Sequence, residues 1–280
     1  MTKKIHFYIY DLSSVFLNTF RKYLSEHPLA CPKVTVTILP PASTSGDATA
    51  TVLEVLEKNS IDALVSPANS FGLMEGGFDL IISKVFLEFA KNAQGGTTPD
   101  LARTATDVTR AVQLQLVKHH KMAYNPVQSI VRINGNELVE DILETSGGGT
   151  SAAHAPPPYT RRDTGDGAAY TPPDLLLVPA MSRPKQLEID SHTKLHESVI
   201  FNSIWNLLSL LAETHLNNTS SPNPNVFKVL ITGLGTGVGG VAHEVAAFHM
   251  YKALSIYAKA LHLQSTHPTA ISKLIQNEIK

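Results

Sequence analysis

The residues best suited to chemistry lie between Ile61 and Leu80, in the stretch IDALVSPANSFGLMEGGFDL. Asn69 offers a carboxamide and Asp79 a carboxylate, with Gly72, Gly76 and Gly77 between them. A carboxylate in such a place can orient a water for attack, or it can satisfy backbone N–H groups where a helix starts. Asn69 can equally close an Asx turn on its own backbone. These side chains need a frame. The apolar run from Ile61 to Val65 predicts a buried strand, stopped at Pro67 because proline donates no ladder hydrogen bond. Helical periodicity resumes at Phe78, Ile82, Val85 and Phe89. A buried strand therefore leads through a glycine loop into a helix. Backbone N–H groups and a helix N-terminus then converge on one spot, which suits an anion such as a diphosphate.

A second stretch has the same design. Val226 to Thr232 reads as a strand, Gly233 to Gly240 as the loop GLGTGVGG, and Val241, Val245, Phe248 and Tyr251 as one face of a helix. Gly235, Gly237 and Gly240 formally spell G-x-G-x-x-G, which alone suggests a dinucleotide fingerprint. Little chain remains after it, and Lys259 to Leu263 lacks the acidic residue that such a domain places on a following strand. Two phosphate-binding loops over the carboxyl ends of adjacent strands account for both stretches better.

The rest of the chain supplies the elements that carry the loops. Ile5, Phe7 and Ile9 alternate as a first strand, and Asp11 or the following serines cap a helix buried through Leu17, Phe20 and Leu24. Val34, Val36 and Ile38 form a second strand, Pro40 to Thr51 a polar loop, and Val52 to Lys58 a short helix. A helix is expected from about Leu101 to His120. Ile130 to Ile142 reads as a hairpin turning at Asn134-Gly135. Thr145 to Pro173, rich in Gly, Ala, Pro and Thr, reads as a mobile insertion within one domain of residues 1–280. Leu175 to Val178 is a buried strand, followed by a helix with Ile200, Ile204, Leu207 and Leu211 on one face. Strands alternating with helices predict a three-layer α/β/α sandwich with a mixed, largely parallel sheet.

The two loops together resemble the macro domain, the fold that binds ADP-ribose. SPANSFGLMEGGFD is similar to that family's NAAN-to-glycines-to-aspartate segment, and LGTGVGG to the loop that wraps the diphosphate and distal ribose. The resemblance covers both loops, their strands and helices, and Leu175 to Leu211, but not the central insertion. It implies a distal-ribose contact at Asn69, where the family has its last Asn, whereas Ser66 replaces the first. It implies ligand contacts at Ala68, Ser70, Gly76, Gly77 and Phe78, and at Gly235, Thr236, Gly237, Val238 and Gly239. Asp79 matches the aspartate of members that hydrolyse ADP-ribosyl esters, and Glu75 stands where another glycine is common. Gly46-Asp47-Ala48-Thr49 resembles the motif with the adenine-binding aspartate, with Asp11 as a competitor. The activity implied is hydrolysis of an ADP-ribose derivative, first ADP-ribose 1″-phosphate and next ADP-ribosyl or O-acetyl-ADP-ribose esters. The alternative is a module that reads ADP-ribose, free or on protein, without turnover.

Composition narrows the partners. A formal net charge of −1 gives no general attraction for nucleic acid or anionic membrane, and no apolar run is long enough to span a bilayer. Cys31 is the single cysteine, so no intrachain disulfide forms, which fits a cytoplasmic or nuclear protein. Asn217-Asn218-Thr219 is a formal glycosylation sequon with no secretion signal before it. His192 and His196 stand at i, i+4 beside Glu197, and His243-Glu244 begins like a zinc-protease motif. Ala247 fills the second histidine's place and His249 is out of register. Two ligands on one face fall short of the three that a catalytic zinc needs, so no metal and no cofactor are expected.

Overall fold

The computed structural model describes residues 3–41, 46–94, 103–145, 171–185, 187, 195–217 and 225–279. The chain is α/β, with a six-stranded sheet that is mixed but mostly parallel. In chain order the elements are β1 (Lys4–Ile9), α1 (Ser14–Glu26), β2 (Val34–Ile38), α2 (Ala48–Asn59) and β3 (Ala63–Ser66). Then come α3 (Gly77–Ala93), α4 (Ala105–His120), β4 (Val131–Ile133), α5 (Gly135–Thr145) and β5 (Asp174–Leu177). The series closes with α6 (Leu195–Leu211), β6 (Val226–Ile231), α7 (His243–Thr266) and α8 (Ala270–Ile279). They fall into two compact units, each discontinuous in sequence.

The first unit comprises Met1–Pro41, Gln128–Ile130 and Pro184–Lys280. Here β1 pairs in parallel with β2 on one side and β6 on the other. Ile5, Phe7 and Ile9 are buried, and in register with Phe227, Val229 and Ile231 they make one apolar face. Ser13 caps α1 by accepting the Phe16 N–H, and Phe16, Leu17 and Phe20 are fully buried. Each such side chain contributes about 1.5–3 kcal/mol by leaving water. Tyr23 of α1 stacks on Tyr251 of α7 at 5.6 Å, and Trp205 of α6 meets Tyr257 of α7 edge-on at 5.0 Å. A π-helical turn, Ala212–Leu216, prolongs α6.

The second unit comprises Ala42–Val127 and Val131–Arg183. β5 pairs in parallel with β3 and antiparallel with β4. All four residues of β3 are buried, the pattern of a strand covered on both faces, as the apolar run Ala63–Val65 requires. Asp174 ties this unit together. One carboxylate oxygen pairs with Arg132 at 2.6 Å, and the other accepts the Gly135 N–H at 3.1 Å.

Four expectations need correction. Asn134-Gly135 does not turn a hairpin: Asn134 Oδ1 accepts the N–H groups of Asn136 and Glu137, so it starts α5. Leu138, Val139 and Ile142 then bury one helical face, a spacing that a strand would split between two faces. α2 begins at Ala48, inside the expected loop, because Asp47 caps it by accepting the Thr49 N–H at 2.9 Å. In α7 the buried residues include Ala246, Ala247, Met250, Tyr251, Ala253 and Leu254, whereas Phe248 is exposed. Small alanines let this helix pack closely, so its large apolar residues misreport its buried face. The last helix, α8, was not expected at all. Most of the Thr145–Pro173 insertion lies outside the described residues, as do His192, Asn218 and Thr219.

Candidate functional site

The loop after β3 is held from three directions. Asn69 closes an Asx turn: its Oδ1 accepts the Phe71 N–H at 3.0 Å and the Leu73 N–H at 3.5 Å, and its Nδ2 reaches Leu73 O at 3.4 Å. Ser70 donates its backbone N–H to Met181 O at 2.9 Å, continuing the parallel pairing beyond β5. Met74 is clamped through both its backbone N–H and its carbonyl. Its N–H donates to Thr109 Oγ1 at 2.9 Å, and its carbonyl accepts from Ser83 Oγ at 2.7 Å. Thr109 and Ser83 were not read from sequence. Their signal was a hydroxyl on an otherwise apolar helix face, which occurs too often to single them out.

At the end of this loop Gly76 caps α3 and Gly77 opens it, both exposed. Gly77 has a φ of +57°, a left-handed conformation that favours glycine. Gly76 has no such reason. Its φ is −143°, and a methyl placed there would meet nothing within 4 Å. Gly72 is the opposite case, since its added Cβ would come within 2.7 Å of Val112 Cγ1 on α4.

Asp79 stands in the first turn of α3 and is only 9% exposed. Ser66 Oγ, at the end of β3, donates to its Oδ1 at 2.6 Å. Oδ2 makes no hydrogen bond among the described residues. Burial pushes the Asp79 carboxyl up to about 7, and the Ser66 hydroxyl pulls it in the opposite direction. An acid–base group poised near neutrality, with one oxygen fixed and one uncommitted, can hold a ligand hydroxyl or take a proton. Ala68 and Ser70 are buried, and Phe78 is half-buried. Asp47 is exposed at the start of α2, with Oδ1 on its own helix.

The loop after β6 is built almost wholly from backbone. Val241 N–H donates to Gly235 O at 3.0 Å, Gly240 N–H to Gly237 O at 3.0 Å, and Leu187 N–H to Gly239 O at 3.0 Å. Thr236 Oγ1 donates to Gly233 O at 3.1 Å. Asp11 anchors the base of the loop. Its Oδ2 accepts from Thr232 Oγ1 at 2.8 Å and Gly233 N–H at 2.9 Å, while its Oδ1 accepts the Ser13 N–H at 2.7 Å. Both its oxygens are thus engaged within its own unit. Gly239 is required by packing, because an added Cβ would stand 2.5 Å from Gly235 O. Gly237 is not: it is exposed, has no positive φ, and has nothing within 4 Å of an added methyl. Val238 beside it is exposed as well.

Each loop therefore carries one glycine, Gly76 or Gly237, that neither backbone geometry nor packing demands. Space over a bare peptide unit is what a ligand lying on backbone N–H groups requires. No group of histidine, cysteine, aspartate and glutamate suited to a metal ion occurs among the described residues. No helix among them is long and apolar enough to cross a membrane. Neither protein-family models nor curated proteins match this sequence.

Proposed function

We propose that this chain binds ADP-ribose and hydrolyses a derivative of it at the distal ribose, with ADP-ribose 1″-phosphate as the leading substrate. The observation that carries this reading is the Asp79 carboxyl, with Oδ1 held by Ser66 and Oδ2 uncommitted, in the first turn of a helix entered through open glycines. In this reading bare amide stretches, of which Gly76 and Gly237 each offer one, receive phosphate oxygens, and Asp79 orients the ribose or the attacking water. Asn69 contributes by holding the loop in shape, since its side chain is already bonded to that loop. The substrate class comes from the likeness of the two loops to macro domains, and the geometry adds an acid of suitable pKa. Incubation with ADP-ribose 1″-phosphate should release inorganic phosphate. Asp79→Asn should slow release by roughly 10²–10⁴-fold, the usual contribution of a positioned acid or base. Full turnover by that variant removes Asp79 from the mechanism.

One observation favours a reader module instead. A carboxyl raised to about 7 is mostly protonated in mildly acid solution, where it donates a hydrogen bond and takes no proton. Calorimetry with ADP-ribose beside a product assay separates the readings: binding with no product at any pH up to 9 leaves the reader.

A further inference from the structure

We infer that Met74 is a positioning residue for the Asp79 proton: its sulfur receives the Ser66 hydroxyl when Asp79 is protonated and loses it when Asp79 ionises. This rests on the reading of Asp79 as the group that meets the ligand, and adds how its proton is held. Ser66 Oγ has two acceptors within reach of its single hydrogen, Asp79 Oδ1 at 2.6 Å and Met74 Sδ at 3.8 Å. Ser66 and Met74 are fully buried, so water offers no third acceptor. The hydrogen serves one of the two well at a time. A bond to an ionised carboxylate is the stronger, and 2.6 Å is a length typical of such a bond. The thioether, a weak acceptor, goes without while Asp79 is charged.

Protonation reverses the preference. A proton on Oδ2 finds no acceptor among the described residues, whereas one on Oδ1 faces Ser66 Oγ at 2.6 Å. Oδ1–H then donates to Ser66, and the Ser66 hydrogen turns to Met74 Sδ. Each buried donor in the chain keeps an acceptor, which spares the cost of leaving one unpaired. Oδ2 stays an acceptor in both states, so a ligand hydroxyl meets the same oxygen whether Asp79 is neutral or ionised. Met74 carries its sulfur on a fixed backbone, held by Thr109 Oγ1 at its N–H and Ser83 Oγ at its carbonyl. Charge does not compete with this exchange. α2, α4 and α5 pack against α3. Glu54, Glu57 and Lys58 of α2, His119 and His120 of α4, and Glu137, Glu140 and Glu144 of α5 are exposed, as are Glu75 and Lys84 on either side of Asp79. Asp107 and Asp141 are paired with Arg110 and Lys118. The raised carboxyl is due to burial, opposed by the Ser66 hydroxyl, and to none of these groups.

The test uses the full chain without ligand, its methionine methyl groups isotope-labelled for NMR. The Met74 signal is the one missing from Met74→Leu, a volume-conserving change. In the parent that signal should move with pH about a midpoint near 7, together with the Asp79 carboxyl. In Ser66→Ala the carboxyl should still titrate, at higher pH, while the Met74 signal moves less than half as far. In Met74→Leu the Asp79 midpoint should fall by about half a unit, the size expected of one weak hydrogen bond and opposite in sign to Ser66→Ala. A Met74 signal that ignores pH, or that moves as far in Ser66→Ala as in the parent, overturns the inference. A Met74→Leu midpoint at or above that of the parent does so too. These titrations need no ligand, so a failure to hydrolyse ADP-ribose 1″-phosphate fails the ADP-ribose reading and leaves them standing. With turnover, the rising limb of kcat against pH should move down in Met74→Leu by the same amount.

Discussion

The loops after β3 and β6 share one plan and differ in what fills it. Both follow a buried parallel strand, both enter a helix through glycines, and each holds one glycine that the fold itself does not need. The first carries a buried carboxyl and is braced by side chains from α3 and α4. The second contains no titratable residue and is braced by its own peptide groups, with Asp11 beneath it. The difference assigns labour. Chemistry can come from the first loop through Asp79, whereas the second offers backbone N–H groups and the Thr236 hydroxyl.

The largest break in this comparison should come from Asp79→Asn, with the roughly 10²–10⁴-fold loss of turnover given above. Its stability should move the other way. The native carboxyl keeps its proton up to about 7 while the unfolded one loses it near 3.8, so native stability falls as pH rises across that window. The loss is on the order of 4 kcal/mol at 1.36 kcal/mol per unit. Asp79→Asn should therefore melt higher than the parent at pH 8 and show a flatter profile of melting temperature against pH. Equal slopes for parent and variant would show that the carboxyl ionises normally.

Next in size are the glycines. Gly239→Ala forces a methyl against a backbone oxygen, and Gly72→Ala forces one against Val112 at a positive φ. Each should cost about 1–3 kcal/mol, seen as a lower denaturation midpoint. Gly76→Ala and Gly237→Ala should leave the midpoint unchanged or slightly raised, yet weaken ligand binding. This contrast sharpens the division between glycines that serve the fold and glycines that serve a ligand. Comparable in size, Thr109→Val should cost about 1–3 kcal/mol by stranding the buried Met74 N–H, and Thr109→Ser should restore most of it. Smallest in stability is Ser66→Ala. It removes the bond that lowers the Asp79 carboxyl, so the rising limb of the rate–pH profile should shift above its parent position near 7.

Much of the frame was legible because strands and helices write their periods locally. Ile5, Phe7 and Ile9 announce β1, and the helical spacing of Phe78, Ile82, Val85 and Phe89 announces α3. Asn134-Gly135 misled because the same pair suits a hairpin turn and a helix start, and only Leu138, Val139 and Ile142 beyond it decide between them. The α7 face misled because alanines make up much of it beside Met250 and Tyr251, while Phe248 faces solvent. The core of the site was less legible. Ser66 and Asp79 are 13 residues apart, and Thr109 and Met74 are 35 apart, so no local pattern pairs them. Ser66 stood out as a departure from a family motif. Its role as the partner of Asp79 required coordinates.

The central claim is that the glycines the fold itself does not need, Gly76 and Gly237, serve an anionic ligand. Calorimetric titration of ADP-ribose into the parent chain, Gly76→Ala and Gly237→Ala tests it most directly. The account predicts saturable binding to the parent and an affinity loss of at least about tenfold in each variant, with unchanged melting temperatures. Binding that is indifferent to both substitutions, or no binding to the parent, contradicts it.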